Sequence, residues 1–370
     1  MKSVEKKQHE ATIAEGLHAI AELEGQRSSE GFNRSASLLV ARDRLFLDRV
    51  EEITSKVFKG KIEPSGYALK RPRGDFDRQL SLILSDLHFQ SLLNGREHPI
   101  PFGAVEEARR LAQVILQTVE YKPQYRKNTL LNLHLLGDII QGQLHDMRDG
   151  APLAEQCAAA IWLLSQAISY LAQYFPEIRI RCATGNHGRF LHRHQQRAIH
   201  QKWDSAETVI YFALKQASAH LPNVKFEIVY TPYYAYQCFD KKAFATHGDT
   251  VLNPGNPGSN IQTGSLEQQI DRINAALPDK DEYALFFVGH VHIGNVTWLP
   301  NGARLITNGC LIPPDDFSIG GLGRFESTCG QMLWESVKGH IVGDVRFITV
   351  DRTIDKDRSL DKIIHPFTGL

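Results

Sequence analysis

The chain has 370 residues, 42% hydrophobic and 23% charged, with 42 Lys+Arg offset by 42 Asp+Glu. That length can bury a large core and excludes a peptide-like or disulfide-stapled scaffold, while zero net charge names no partner by itself. Cys157, Cys182, Cys238, Cys310 and Cys329 form an odd, widely spaced set without a CxxC, which argues for reduced thiols and a cytoplasmic setting.

Residues 1–60 carry apolar positions such as Ile13, Leu17, Ile20 and Leu23 at spacings of three or four, broken around 26–33 by polar residues and glycine. This predicts a helical hairpin or short coiled coil, a surface through which the chain would form a homo-oligomer. The opening MKSVEKKQHE leads into charge without an apolar h-region, so no export signal is expected. Pro64, Gly66, Pro72 and Gly74 with Lys70, Arg71 and Arg73 read as a connector. The expected division is a helical extension and connector over 1–75, a main domain over 76–350 and a tail over 351–370.

From Leu80 short apolar runs alternate with long amphipathic segments: LSLILSD, a helix near 104–119, LLNLHLLGD, a helix near 152–173, then IRIRCATGN. The apolar stretch 157–175 is broken by Ser165, Gln166, Ser169 and Gln173, so no membrane span is expected. A helix near 205–219 precedes strands near 224–230, 233–239 and 242–246. A helix near 265–276 is followed by YALFFVGH and by strand-like stretches near 293–298, 303–307 and 331–350. Parallel units first and antiparallel strands later predict an α/β fold, a layered β-sandwich flanked by helices.

Each apolar run ends abruptly in residue types that can ligate metals: Asp86 and His88, Asp138, Asn186 and His187, His247, then His290 and His292. Ligands bind at the carboxyl ends of strands in open α/β sheets, so residues distant in sequence converge there. Carboxylates and imidazoles without thiolate suit manganese, with iron, zinc, nickel or magnesium as other fits, and two cations about 3.5–4 Å apart can share one carboxylate.

The ordered series Asp86-x-His88, Gly137-Asp138, Gly185-Asn186-His187, His247 and Gly289-His290-x-His292 resembles the calcineurin-like metallophosphoesterase superfamily over residues 86–292. The resemblance implies two divalent metal ions, one held by Asp86, His88 and His292, the other by Asn186, His247 and His290, with Asp138 bridging both. It implies that His187 contacts the phosphate and protonates the leaving oxygen while activated hydroxide attacks phosphorus. Two positions depart from the family pattern. Gln141 stands where GDxxD or GDxxN is common and can still orient a ligand, whereas Gly188 replaces the acid usual after GNH and brings neither charge nor side-chain contact. His134, inside a strand pattern, is expected to be a core imidazole.

The stretch 178–203 holds Arg179, Arg181, Arg189, Arg193, Arg197 and Lys202 and no acid. Arg179 and Arg181 read as a solvated strand end. Arg189, Arg193, Arg197 and Lys202 are candidates for substrate phosphates, with Phe190 and Trp203 available to stack on bases, so a nucleic acid or other phosphodiester is the expected substrate. The alternatives are a phosphoprotein or nucleotide phosphatase and a catalytically inactive scaffold.

Overall fold

The computed structural model describes residues 75–93, 102–144, 150–190, 201–255, 261, 263–277, 282–314, 319 and 330–350. The helices expected within 1–60, the connector up to 74 and the tail over 351–370 lie outside these residues.

Two sheets carry the described fold. In the first, β1 (Arg78–Leu84), β2 (Thr129–Leu135), β3 (Glu177–Cys182) and β4 (Val224–Ile228) run parallel, and β10 (Gly330–Val337) and β11 (His340–Thr349) extend it antiparallel beside β1. The second has the order β5 (Tyr233–Cys238), β6 (Lys241–Thr246), β7 (Tyr283–Val288), β9 (Arg304–Thr307), β8 (Asn295–Trp298), with β6, β7 and β9 parallel. Where one stretch was expected over 331–350, a turn at Lys338-Gly339 divides β10 from β11, and Gly339 takes a φ of 83° that glycine adopts without penalty.

Helices α1 (Ala104–Glu120), α2 (Leu153–Ala172) and α3 (Ala206–Ala217) cover the outer face of the first sheet, and α4 (Thr263–Ala275) covers that of the second. β1 and β2 are therefore covered on both faces, which is why LSLIL and LLNLHLL read as almost unbroken apolar runs. Between the sheets Ile83, Phe287, Ile306 and Trp334 form the middle layer, each such side chain contributing roughly 1.5–3 kcal/mol by burial. Among the described residues no helix is long and apolar enough to cross a membrane.

The middle layer also holds polar groups. His134 is fully buried, with Nδ1 2.7 Å from the Tyr234 hydroxyl and Nε2 3.3 Å from that of Tyr236. Arg181 is a correction to the solvated strand end: it is buried, donates to Asn132 Oδ1 and Glu227 Oε2 at 2.9 Å each, and lies over the Tyr236 ring. Its side chain alternates into the sandwich, where a guanidinium persists only with such partners. Arg179, half-buried, donates to Glu177 at 2.7 Å.

Candidate metal centre

The carboxyl ends of β1, β2 and β3 in one sheet and β6 and β7 in the other meet, and the residues beyond them form one cluster. Ligating atoms of Asp86, His88 and His292 lie within 4.8 Å of one another, as do those of Asp138, His247 and His290, and those of His88, Asp138 and His187. Asn186 Oδ1 joins the second group, 3.1 Å from His247 Nε2. All seven positions expected to ligate are thus brought together, with Asp138 common to two groups.

The backbone is bent to achieve this. Asp86, His88, Asp138, His290 and His292 all have positive φ, between 49° and 70°, a conformation costing non-glycine residues of order 1–3 kcal/mol each. The motif glycines answer a different constraint. Gly137 (φ 79°) and Gly185 face each other so closely that a Cβ on Gly137 would lie 2.1 Å from Gly185 N. Asp138 Oδ1 accepts the N–H groups of Asn186 and His187 at 2.8 Å each, clamping the two loops and leaving Oδ2 3.1 Å from His247 Nε2.

Backbone and amide acceptors orient the imidazoles. His88 Nδ1–H donates to Gln141 Oε1 (3.0 Å), His187 Nδ1–H to the Gln141 carbonyl (2.7 Å) and His247 Nδ1–H to the Leu136 carbonyl (2.7 Å), so each presents Nε2 to the centre. Gln141 therefore fills the orienting role expected of it.

The charges are those of a cation site. Burial alone would raise Asp86 and Asp138, yet His292 beside Asp86 and His247 and His187 beside Asp138 hold both below the ordinary carboxylate value. Burial, reinforced by neighbouring imidazoles, lowers His88 to about 3 and His290 to about 4, keeping their lone pairs free. Burial also opposes a charged His247, but Asp138 and Asp86 outweigh it and raise it to about 10. His88 Nε2 and His292 Nε2 converge to 3.3 Å, and His292 Nε2 lies 3.3 Å from Asp86 Oδ1. His290 Nδ1 is buried and has no hydrogen-bond partner among the described residues. Converging lone pairs and an orphaned buried nitrogen fit a bound cation, which would satisfy both.

The substrate candidates fare differently. Lys202, expected to contact phosphate, is buried with its ammonium ion-paired with Asp249: an ammonium removed from water is held by a counter-charge, and the turn at 201–204 aims it at the loop after β6. Arg189 is half-buried beside the centre, with Nε donating to the Asn186 carbonyl at 2.8 Å. Arg193 and Arg197 lie outside the described residues. Phe190 is exposed, whereas Trp203 packs edge-on against Tyr230.

Three buried side chains that sequence reasoning missed hold the loops from behind, each from the first turn of a helix. Glu107 of α1 accepts from Gln90 N–H at 2.7 Å, Gln156 of α2 accepts from Gly142 N–H at 2.6 Å, and Glu207 of α3 accepts from Ile139 N–H and Gly185 N–H at 2.7 Å each. Burial pushes Glu107 up to about 7, and burial with the Asp138 charge does the same to Glu207.

No protein-family model and no curated protein matches the chain. Similar solved structures include a hypothetical protein from Pyrococcus horikoshii OT3, at 12% identity over 78% of this chain and 91% of that one, with a TM-score of 0.39. A calcineurin-like phosphoesterase from Bacillus subtilis matches at 12% identity over 79% and 96%, TM-score 0.34. A dimetal phosphatase from Danio rerio matches at 13% identity over 75% and 100%, TM-score 0.33.

Proposed function

We propose that the chain is a metal-dependent phosphoric ester hydrolase working with two divalent ions, manganese being the best fit to its oxygen and imidazole donors. The observation that carries this reading is the position of Asp138, grouped with His247 and His290 on one side and, on the other, with His88, which is itself grouped with Asp86 and His292, while Asn186 Oδ1 lies 3.1 Å from His247 Nε2. Divalent cations in such a site supply Lewis-acid polarisation of a phosphoryl oxygen and acidify a water to a pKa of ~7.

The chain's own residues do the rest. Asp138, buried and ionised, is the shared anion, and its Oδ1 contacts fix the Asn186-His187 loop. His187, held through Nδ1, presents Nε2 3.9 Å from Asp138 Oδ2, placed to deliver a proton to a leaving oxygen. Arg189 stands beside Asn186, where a guanidinium can pair with a phosphate.

For the substrate, a nucleic-acid phosphodiester is supported by Arg189 with the exposed Phe190 next to it, one for the backbone and one for a base. A small phosphomonoester is the rival reading, favoured by the engagement of Lys202 with Asp249. Kinetics with an end-labelled oligonucleotide, a chromogenic diester and a chromogenic monoester in added Mn²⁺ decide between them. Arg189→Ala should raise KM for the oligonucleotide more than for the small diester. Hydrolysis of the monoester alone would move the assignment to a phosphatase, and no hydrolysis of any of the three would overturn the enzyme reading.

A further inference from the structure

The geometry points to Glu207 as a positioning residue of the metal centre, a carboxylate delivered by α3 into the space that a side chain at position 188 would fill. A Cβ built on Gly188 would lie 2.5 Å from Glu207 Cγ, 3.0 Å from Glu207 Cδ and 2.5 Å from Ser205 Oγ. Gly188 does not have a positive φ, so glycine is needed there for space and not for conformation. The inference rests on the metal-site reading above and deepens it.

The start of α3 is docked onto this segment. Ala206 N–H donates to the Gly188 carbonyl at 2.8 Å, Arg189 and Ser205 form a β-bridge, and Ser205 Oγ caps the helix by accepting Glu207 N–H. Glu207 therefore enters the site from a fixed backbone, with no exposed surface. Each of its oxygens takes one N–H: Oε1 that of Ile139, the residue after Asp138, and Oε2 that of Gly185, the residue before Asn186. One rigid carboxylate thus sets the separation of the loops carrying the shared ligand and the second ion's amide ligand. Asp138 Oδ1 ties the same loops together from the metal side, so the pair of loops is fastened twice. Gly188 and Glu207, a missing acid and an unexplained buried acid, are two halves of one arrangement.

Glu207→Gln keeps the volume but sets an amide NH₂ against one of the two backbone donors, leaving it without an acceptor. The test compares wild type, Glu207→Gln and a control, Phe175→Leu, a core change before β3, at the strand's opposite end from Gly185. Two quantities are read: Mn²⁺ affinity by calorimetry, and amide hydrogen exchange of Ile139 and Gly185 in the metal-free chain. Glu207→Gln should weaken Mn²⁺ binding ~10–100-fold, the usual effect of losing a group that orients metal ligands, and should speed exchange at one or both amides. Phe175→Leu should lower thermal stability and change neither. Wild-type affinity and protection in Glu207→Gln, or equal losses in Glu207→Gln and Phe175→Leu, would overturn the inference. Should Glu207→Gln not fold, Gly188→Ala displaces the same carboxylate without removing it, and wild-type behaviour there would count equally against it. A wild-type chain that binds no Mn²⁺ would sink the metal reading, whereas the metal-free exchange comparison would still judge Glu207.

Discussion

Lys202→Met separates a structural cation from a substrate-binding one. In the structure the Lys202 and Asp249 side chains are 4% and 7% exposed and ion-paired, so removing the ammonium strands a buried carboxylate. Breaking a buried pair from one side costs ~3–5 kcal/mol. At roughly 2–4 °C per kcal/mol for a domain of this size class, Tm should fall by about 6–20 °C in a thermal scan of the metal-free chain. Lys202→Met combined with Asp249→Leu removes both charges and should recover most of that loss, since replacing a whole buried pair by apolar groups is often close to neutral. The reasoning is refuted if Lys202→Met melts with wild type while KM for an oligonucleotide rises, because the ammonium would then be free to meet phosphate.

His187→Ala should retain both ions by elemental analysis while slowing turnover ~10²–10⁴-fold, the range for a lost general acid; loss of an ion would make His187 a ligand. His134 provides a pH prediction. Burial first, then the Arg181 charge, holds its folded pKa well below 6.5, so below that pH the unfolded chain takes up a proton that the folded one refuses. Its contribution is present above pH 6.5 and is lost as pH falls, by up to about 1.4 kcal/mol per pH unit. His134→Gln should flatten the fall in urea-unfolding free energy between about pH 6.5 and 5, and an unchanged slope would show that another group titrates there.

The cluster of candidate ligands was legible because a parallel strand covered on both faces reads as an apolar run, and a polar residue at its carboxyl end interrupts that run abruptly, as Asp86 does after LSLIL and His290 after YALFFV. The helices were legible from their amphipathic spacing. The supporting shell was not, because Glu107, Gln156 and Glu207 lie in first helical turns, where polar and acidic residues are ordinary, and nothing local marks the one that turns inward. The partners of the charged residues were hidden for a related reason. Arg181 and Lys202 are neutralised by Glu227 and Asp249, 46 and 47 residues further on, and only the fold reveals such pairings. The return of β10 to the edge of β1 is likewise a long-range event, sealed by Arg78 and Glu335 at a separation of 257 residues.

In the proposed centre one carboxylate, Asp138, joins two cation sites. Crystals of the chain grown with Mn²⁺ and measured on both sides of the manganese absorption edge test it directly. Two anomalous peaks are predicted, about 3.5–4 Å apart, one beside Asp86, His88 and His292, the other beside Asn186, His247 and His290, and both in contact with Asp138. No peak at either group, together with elemental analysis finding no transition metal in the purified chain and activity indifferent to chelator, would contradict it.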